Sequence, residues 1–247
     1  MTKQGFFRFS PVRTNDLEFF VPHSGVAEAY GLLSKVLEDF KQNEGEFILV
    51  YISGPAGVGK SHLTLGFGQK FREIGVESIH MHLTDQVNLD KPVSASLVGE
   101  FYEQEYEQEM VIVTLNSDGT PSGVITDEAF ISEYQRLKIS GGIIFVHSVF
   151  PLNEKLLSNP HIFSRLRSGL YLQLSFPSEE EHYPVLRSLL ERHHIRLSDS
   201  RLKKIIEHAP GTPASLEVVS FRLQEMLQQG EKFNSSLVKK VLSSPVG

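Results

Sequence analysis

The sequence predicts an α/β fold in which a five-stranded parallel sheet, flanked by helices, is followed by an all-helical C-terminal lid. Up to residue 177, short apolar runs alternate with amphipathic helical patterns, which is typical of parallel strands joined by right-handed crossovers. A glycine-rich loop follows the first apolar run directly. After Phe176-Pro177 only helical patterns remain, so Pro177 is the predicted domain boundary.

The predicted elements fall into three regions. Residues 1–25 form an extended N-terminal segment, 26–177 the α/β domain and 178–247 the lid. The apolar runs predict strands at 47–52, 78–83, 110–115, 142–147 and 170–175. Helical spacing predicts helices at 26–40, 60–74 and 127–138, and in the lid at 178–193, 198–208, 213–228 and 235–242. Ser178 with Glu181 three residues later is a capping box that marks the start of the lid.

Composition restricts the class of protein. The chain has 247 residues, of which 40% are hydrophobic and 22% charged, and it has no cysteine, which excludes disulfides and thiolate chemistry. No apolar run reaches the roughly 18 residues of a membrane span, and the N-terminus has no signal-peptide pattern, so we expect a cytoplasmic protein. The net charge of −6 argues against nucleic acid as the main ligand.

The glycine-rich loop has the full GxxxxGK[ST] pattern of a phosphate-binding loop. Its glycines allow successive backbone N–H groups to face a phosphate, Lys60 adds a positive charge, and the Ser61 hydroxyl can hold Mg²⁺. A chance match on a glycine turn is the alternative, but the apolar strand before it and the helix after it are the context that the motif requires. The predicted ligand is ADP or ATP, with Mg²⁺ when a triphosphate is bound. The loop residues are Gly54, Pro55, Ala56, Gly57, Val58, Gly59, Lys60 and Ser61.

Four segments occur in an order found in a known family. They are the entry segment Leu17–Gly25, the loop with its His62-Leu63 pair, Ser164-Arg165-Leu166 with Gly169, and Arg196-Leu197-Ser198. This order resembles the AAA+ ATPases of the DnaA/Hda-like group, which includes the bacterial replication initiator DnaA and its short relative, the DnaA regulatory inactivator Hda. The resemblance runs over nearly the whole chain, and it implies a P-loop AAA+ domain with a helical lid.

The resemblance also implies roles for individual residues. Val21 and Pro22 would line the adenine, and His62 would belong to the nucleotide site. Arg165 would be an arginine finger that acts on the nucleotide of a partner; the alternatives are a surface salt-bridge arginine at this position or, less favoured, Arg167 as the finger.

Three positions depart from the family pattern. The second acidic motif should end the third strand, where Thr114 and Leu115 stand, so neither the Mg²⁺-binding acid nor the acid that activates water is present there. Asp118 is a possible substitute beyond that strand. A lid arginine is replaced by Ala214. These departures predict nucleotide binding with weak or no intrinsic hydrolysis.

Several histidines and acidic residues allow two interpretations. The fourth strand ends in His147-Ser148, where the family has a polar sensor, but a histidine satisfied at the core edge explains the pattern equally well. His80 and His82 share one face of a strand, which is a weak zinc pattern without a third ligand. The run 100–109 is acidic and aromatic, typical of a solvated helix face, with a partner surface as the alternative.

The N-terminal tail contains a possible peptide motif for binding the sliding clamp. Gln4, Phe7 and Phe9 stand at the position of the clamp-binding peptide of the family's inactivator, in which glutamine fixes the register and apolar side chains fill a pocket. The alternative is an aromatic tail that folds back on its own domain.

The sequence thus predicts a nucleotide-binding regulator of replication initiation. It would dock on a DnaA-like AAA+ initiator and promote the hydrolysis of the partner's ATP; the sliding clamp and a second copy of the chain are further candidate partners. The chain ends directly after the lid, where the initiator has a DNA-binding domain, so we expect no sequence-specific DNA binding. The alternative is a non-catalytic adaptor or loader subunit for a replication helicase or polymerase. An autonomous ATPase motor conflicts with Thr114 and Leu115.

Overall fold

The computed structural model describes residues 17–42, 46–84, 111–116, 121–157, 159–209, 211–231 and 233–243. Six strands form one sheet in the order β4-β3-β2-β5-β1-β6. The strands are β1 (Phe47–Ser53), β2 (Ser78–Thr84), β3 (Val111–Leu115), β4 (Pro121–Ile125), β5 (Gly142–Ser148) and β6 (Leu170–Gln173). The helices are α1 (Ser24–Lys41), α2 (Lys60–Glu73), α3 (Asp127–Ser140), α4 (Pro160–Arg167), α5 (His182–Arg192), α6 (Asp199–Ile206), α7 (Pro213–Gln228) and α8 (Ser235–Ser243).

The sheet corrects the prediction of five parallel strands. Strands β1, β2, β5 and β6 are parallel, but β3 is antiparallel to both β2 and β4. The link from β3 to β4 is only residues 116–120, and a parallel connection needs a crossover of about a dozen residues or more. The short link therefore favours a hairpin, which the search for alternating strands and helices missed.

The two faces of the sheet bury separate cores. Val50 and Ile52 pack with α1 and α2, whereas Leu49 and Tyr51, which point to the other face, pack with α3 and α4. This alternation is the two-residue period of a strand covered by helices on both faces. Helix α4 was not predicted, although its start has a recognisable signal: Asn159 caps it by accepting the His161 N–H at 2.9 Å, and Pro160 follows.

The part of the chain after Pro177 is helical and has its own core. Helices α5 to α8, which we call the C-terminal helical region, enclose a cluster that includes Leu186, Leu202, Leu223 and Leu237. The predicted capping box at its start is confirmed, and a single 3₁₀ turn at Glu179–Glu181 precedes α5. In the part of the chain that the structure describes, no helix is long and apolar enough to cross a membrane.

Candidate functional site: a phosphate-binding loop under the helical region

The glycine-rich loop joins the carboxyl end of β1 to the start of α2. Gly57 and Gly59 have φ of 76° and 102°, a backbone conformation that other residues rarely adopt. Gly59 is the N-cap of α2 and accepts the Leu63 N–H at 2.9 Å. The loop therefore curls at the positive end of a 14-residue helix, the geometry that binds phosphate.

Lys60 is the buried cation of this site. Its Nζ donates hydrogen bonds to the Gly54 and Pro55 carbonyl oxygens at 2.6 and 2.8 Å. Burial lowers the Lys60 pKa to about 8, and no acidic group of the described residues contributes to it. Because a buried ammonium without a counter-ion is unfavourable, this lysine is poised to pair with an anion that enters the loop.

Aromatic residues cover one side of the loop. Phe20 packs edge-on against His62, with ring centroids 5.3 Å apart, and stacks on Tyr30 at 5.8 Å. Of the two residues predicted to line the adenine, Val21 packs against the core of the C-terminal helical region, and Pro22 is exposed. Phe20 and Tyr30 were not among the predicted site residues, although the run of aromatics before Pro22 could have indicated them.

The C-terminal helical region touches the loop directly. The Ala214 N–H at the start of α7 donates to the Gly57 carbonyl oxygen at 3.2 Å, and a Cβ added to Gly57 would lie 2.8 Å from the Ala214 Cβ. Thr212 caps α7 by accepting the Ser215 N–H at 3.2 Å. Residue 214, where the resemblance places a lid arginine, thus lies at the loop, but alanine offers no charged group there.

The structure contradicts the assignment of the acidic motif to the end of β3. Because β3 is antiparallel, Leu115 pairs with His80, and it is Val111 that pairs with Thr84 at the carboxyl end of β2. Leu115 therefore lies about 13 Å from that edge, at about 3.3 Å per residue. Thr114 has a different local role, since its Oγ1 is 2.6 Å from the Ser122 Oγ in the hairpin. The residues at 114 and 115 consequently say nothing about hydrolysis.

The strand beside β5 at the loop edge is β2, which ends at Thr84. Leu83 pairs with Ser148, and Ser148 in turn pairs with Ser53, the residue before the loop. Thr84 is buried and is not acidic. The next residue in the sequence is Asp85, which lies outside the described residues, as does the suggested substitute Asp118.

Three histidines lie between the sheet and α2. His80 and His82 on β2 share a face, as predicted, and His147 on β5 is the registered neighbour of His82. The Nε2 of His147 is 2.5 Å from the Thr64 Oγ1 of α2. Burial lowers the pKa of His80 to about 3 and that of His82 to about 4, and it also lowers the pKa of His147.

These histidines therefore form a neutral polar layer under α2. Among the described residues, no group of histidines and acids could hold a metal ion. Both candidate sensors are fully buried: His147 faces α2, and the Ser148 Oγ accepts the Phe150 N–H at 3.0 Å. The Nε2 of His147 is thus bonded inside the core while its Nδ1 is buried without a hydrogen-bond partner, and neither His147 nor Ser148 presents a free polar group at the surface.

Arg165 lies in α4, on the other face of the sheet from α2. Its Nη1 donates to the His161 carbonyl oxygen at 2.8 Å, and its guanidinium lies 5.3 Å from the centre of the Tyr134 ring. Its Nε is buried without a hydrogen-bond partner. Arg167, two residues later, is exposed. The predicted clamp residues Gln4, Phe7 and Phe9 and the acidic run 100–109 lie outside the described residues.

Comparison with known proteins gives a consistent group of relatives. The initiator DnaA of Ureaplasma parvum is 28% identical over 146 residues, which are 58% of this chain and 32% of the relative. Domain III of DnaA from Thermotoga maritima superposes with a TM-score of 0.63 at 18% identity, covering 94% of this chain and 98% of that domain. A DnaA bound to AMPPCP and single-stranded DNA has a TM-score of 0.55 at 14% identity, covering 88% and 68%. No protein-family model matches the chain.

The sheet, the loop at the end of β1 and the C-terminal helical region define a P-loop protein of the AAA+ fold. Within that class the chain is similar to DnaA: the curated relatives are DnaA initiators at 23–28% identity, and domain III of DnaA has the same fold over 94% of this chain. The chain spans between 32% and 46% of the length of the curated relatives it matches.

Proposed function

We propose that this chain binds ADP or ATP at Gly54–Ser61. The observation that carries the proposal is the pairing of the curled glycine loop with Lys60, a buried cation whose partners among the described residues are the carbonyl oxygens of Gly54 and Pro55. Phosphate oxygens would replace those carbonyls and would restore the full charge of the ammonium. The AMPPCP bound by a DnaA of the same fold supports this choice of ligand.

The other groups at the loop would contact the remaining parts of the nucleotide and its metal ion. The N–H groups that open α2 would face the phosphates, and the base would lie towards Phe20 and His62, next to Val21 and Pro22. Ser61 would hold Mg²⁺ when a triphosphate is bound. One hydroxyl fits this role, because Mg²⁺ keeps several waters and takes its remaining ligands from phosphates and one or two protein groups.

Calorimetry with ADP tests the binding proposal. Lys60→Ala should abolish binding because it removes the cation and leaves the loop without a phosphate partner. Lys70→Ala is the matched control, since Lys70 is on the same helix but its side chain is 42% exposed and paired with Glu73 at 3.1 Å. Absence of ADP and ATP binding by the unaltered protein would refute the proposal.

We further propose that the chain regulates replication initiation by docking on a DnaA-like AAA+ partner. Arg165 would then contact the partner's outer phosphate and stabilise the charge that develops there. Its position supports an action on a partner, because Ile162, Leu166 and Tyr134 around it belong to the core on the α3–α4 face, whereas α2 packs on the opposite face. Arg165 therefore belongs to a helix on the face of the sheet opposite to α2, the helix that begins at the chain's own loop.

ATP turnover by the cognate initiator, with clamp and DNA present, tests the finger. Arg165→Ala should remove the stimulation while the chain's own ADP affinity stays unchanged. Arg165→Lys should rescue little, since a planar guanidinium contacts two oxygens and an ammonium contacts one. Arg167→Ala, a change to an exposed arginine of the same helix, should stimulate like the unaltered protein. Equal stimulation by Arg165→Ala would rule out the finger.

The second candidate is a non-catalytic adaptor or loader subunit in which nucleotide only organises the fold. The contacts of Arg165 with Tyr134 and with its own helix favour this alternative, because they give the arginine a structural role within one chain. If the unaltered protein never stimulates hydrolysis by an initiator, yet binds ADP, the adaptor function is the better account. Attachment to the sliding clamp through Gln4, Phe7 and Phe9 is compatible with both functions, as is a homo-oligomer.

A further inference from the structure

One carboxylate joins the C-terminal helical region to the α/β domain. Glu181 Oε1 accepts the Ser24 N–H at 2.6 Å, and its Oε2 accepts the Ser24 hydroxyl at 2.6 Å. The same Oε2 accepts the N–H and the hydroxyl of Ser178, both at 2.9 Å. The capping box that begins the C-terminal helical region therefore also caps α1, which begins at Ser24.

The bonds of Glu181 keep it ionised. They lower its pKa to about 2, with the Ser24 hydroxyl as the largest cause and the two backbone N–H groups next. Two of its donors lie at helix starts, where a negative charge is favourable. The carboxylate is therefore ionised throughout the neutral pH range.

Ser24 follows directly on the segment that reaches the nucleotide loop. Phe20 of that segment contacts His62, Val21 packs against the core of the C-terminal helical region, and His23 is buried before α1. On the other side of Ser24, Gly25 accepts the Ser175 N–H at 3.0 Å, and a Cβ on Gly25 would lie 2.1 Å from the Ser175 oxygen. This packing leaves little freedom at the junction.

At the start of α7 the C-terminal helical region meets the loop, through the backbone hydrogen bond from Ala214 to Gly57. Alanine has no charged group with which to hold a phosphate. The position of the region over the loop also depends on contacts across the junction, namely the packing of Val21 and the hydrogen bonds that the Glu181 carboxylate accepts from Ser24.

We propose that Glu181 is a positioning residue for nucleotide binding. It fixes the C-terminal helical region on α1 so that Ala214 meets Gly57 and the entry segment lies against His62, although Glu181 itself does not touch the loop. The inference rests on the proposed binding of ADP or ATP at Gly54–Ser61.

The first test measures position without nucleotide. Hydrogen exchange in the nucleotide-free protein should show that Glu181→Ala speeds exchange of peptides that contain Ala214 and residues 20–25, whereas α3 is unchanged. Glu180→Gln, a change to an exposed neighbour in the same turn, is the control. Unchanged exchange in Glu181→Ala would overturn the positioning role, whether or not the protein binds nucleotide.

The second test measures ADP affinity and dissociation rate. Glu181→Ala should weaken binding roughly tenfold, mainly through faster dissociation, while Glu180→Gln stays within about twofold. Ser24→Ala should have a smaller effect because the Ser24 N–H remains, and adding it to Glu181→Ala should change affinity little further. Additive losses would show that Glu181 does not act through Ser24. Failure of the unaltered protein to bind ADP or ATP would instead refute the binding proposal and, with it, the role of Glu181 in affinity.

Discussion

Raising the pH from 7 to 9 should weaken ADP binding, and the size of the effect follows from Lys60. Its pKa is lowered from 10.5 to about 8 in the nucleotide-free protein. Bound phosphates favour the ammonium, so the protein at pH 9 must take up a proton when it binds. With a pKa near 8, the free protein is about one-tenth protonated at pH 9 and about nine-tenths at pH 7, so affinity should fall about tenfold, or about 1.4 kcal/mol.

Calorimetric titration with ADP at several pH values measures this slope. Other groups interfere little, because phosphate has its second pKa near 6 and the buried histidines stay neutral over the whole window. Lys60→Arg should flatten the profile, since a guanidinium stays charged. Lys70→Ala should keep the slope of the unaltered protein. A flat profile in the unaltered protein would refute the buried, unpaired state of Lys60.

The same lysine makes a separate contribution to stability. A lowered pKa in the folded state means that the unfolded chain holds the extra proton between pH 8 and 10.5. The contribution of Lys60 to the free energy of unfolding should therefore rise with pH across that window. Denaturant unfolding at several pH values, without nucleotide, measures this change in the free energy of unfolding. In Lys60→Met the free energy of unfolding should rise less over the same pH window.

Three further predictions concern the sheet, the histidine layer and the tail. Thr114→Asp should leave ATP turnover unchanged, because the end of β3 lies at the edge away from the loop; increased turnover would contradict the antiparallel register. Thr64→Val should lower the free energy of unfolding by about 1–3 kcal/mol in denaturant titrations, since it leaves the buried His147 without its partner. A synthetic peptide of residues 1–12 should bind the sliding clamp, and changing Gln4 and Phe9 to alanine should weaken it more than about tenfold in calorimetry. If neither peptide nor protein binds the clamp, the aromatic tail has a structural role and the clamp hypothesis is wrong.

Local signals in the sequence predicted the parts of the site that neighbouring residues determine. The loop was predictable because a glycine pattern, a strand before it and a helix after it all lie within one short segment. The capping box at Ser178 and Glu181 was predictable for the same reason, since its two partners are three residues apart.

Features set by distant contacts could not be predicted in this way. The direction of β3 depends on its pairing with β2, and that pairing decides which residues of β3 lie at the edge of the sheet next to the glycine-rich loop. The bond between Glu181 and Ser24 joins residues 157 positions apart. In the sequence Glu181 has a complete explanation as a cap, so nothing there indicates that the same carboxylate also holds α1.

The resting position of Arg165 does not by itself separate the regulator from the adaptor. Leaving the Tyr134 ring costs about 0.5–1 kcal/mol for a cation–π contact near the surface. An arginine finger that speeds hydrolysis by about three to five orders of magnitude lowers the barrier by about 4–7 kcal/mol. A partner that offers a phosphate to this arginine can therefore draw it from Tyr134 at small cost, and the buried Nε, now without a hydrogen-bond partner, would gain from the move. In a chain without such a partner, the same contacts only hold the Arg165 side chain between α3 and α4. The two functions thus share one structure, and the difference between them lies in whether the partner presents its nucleotide to this face of the sheet.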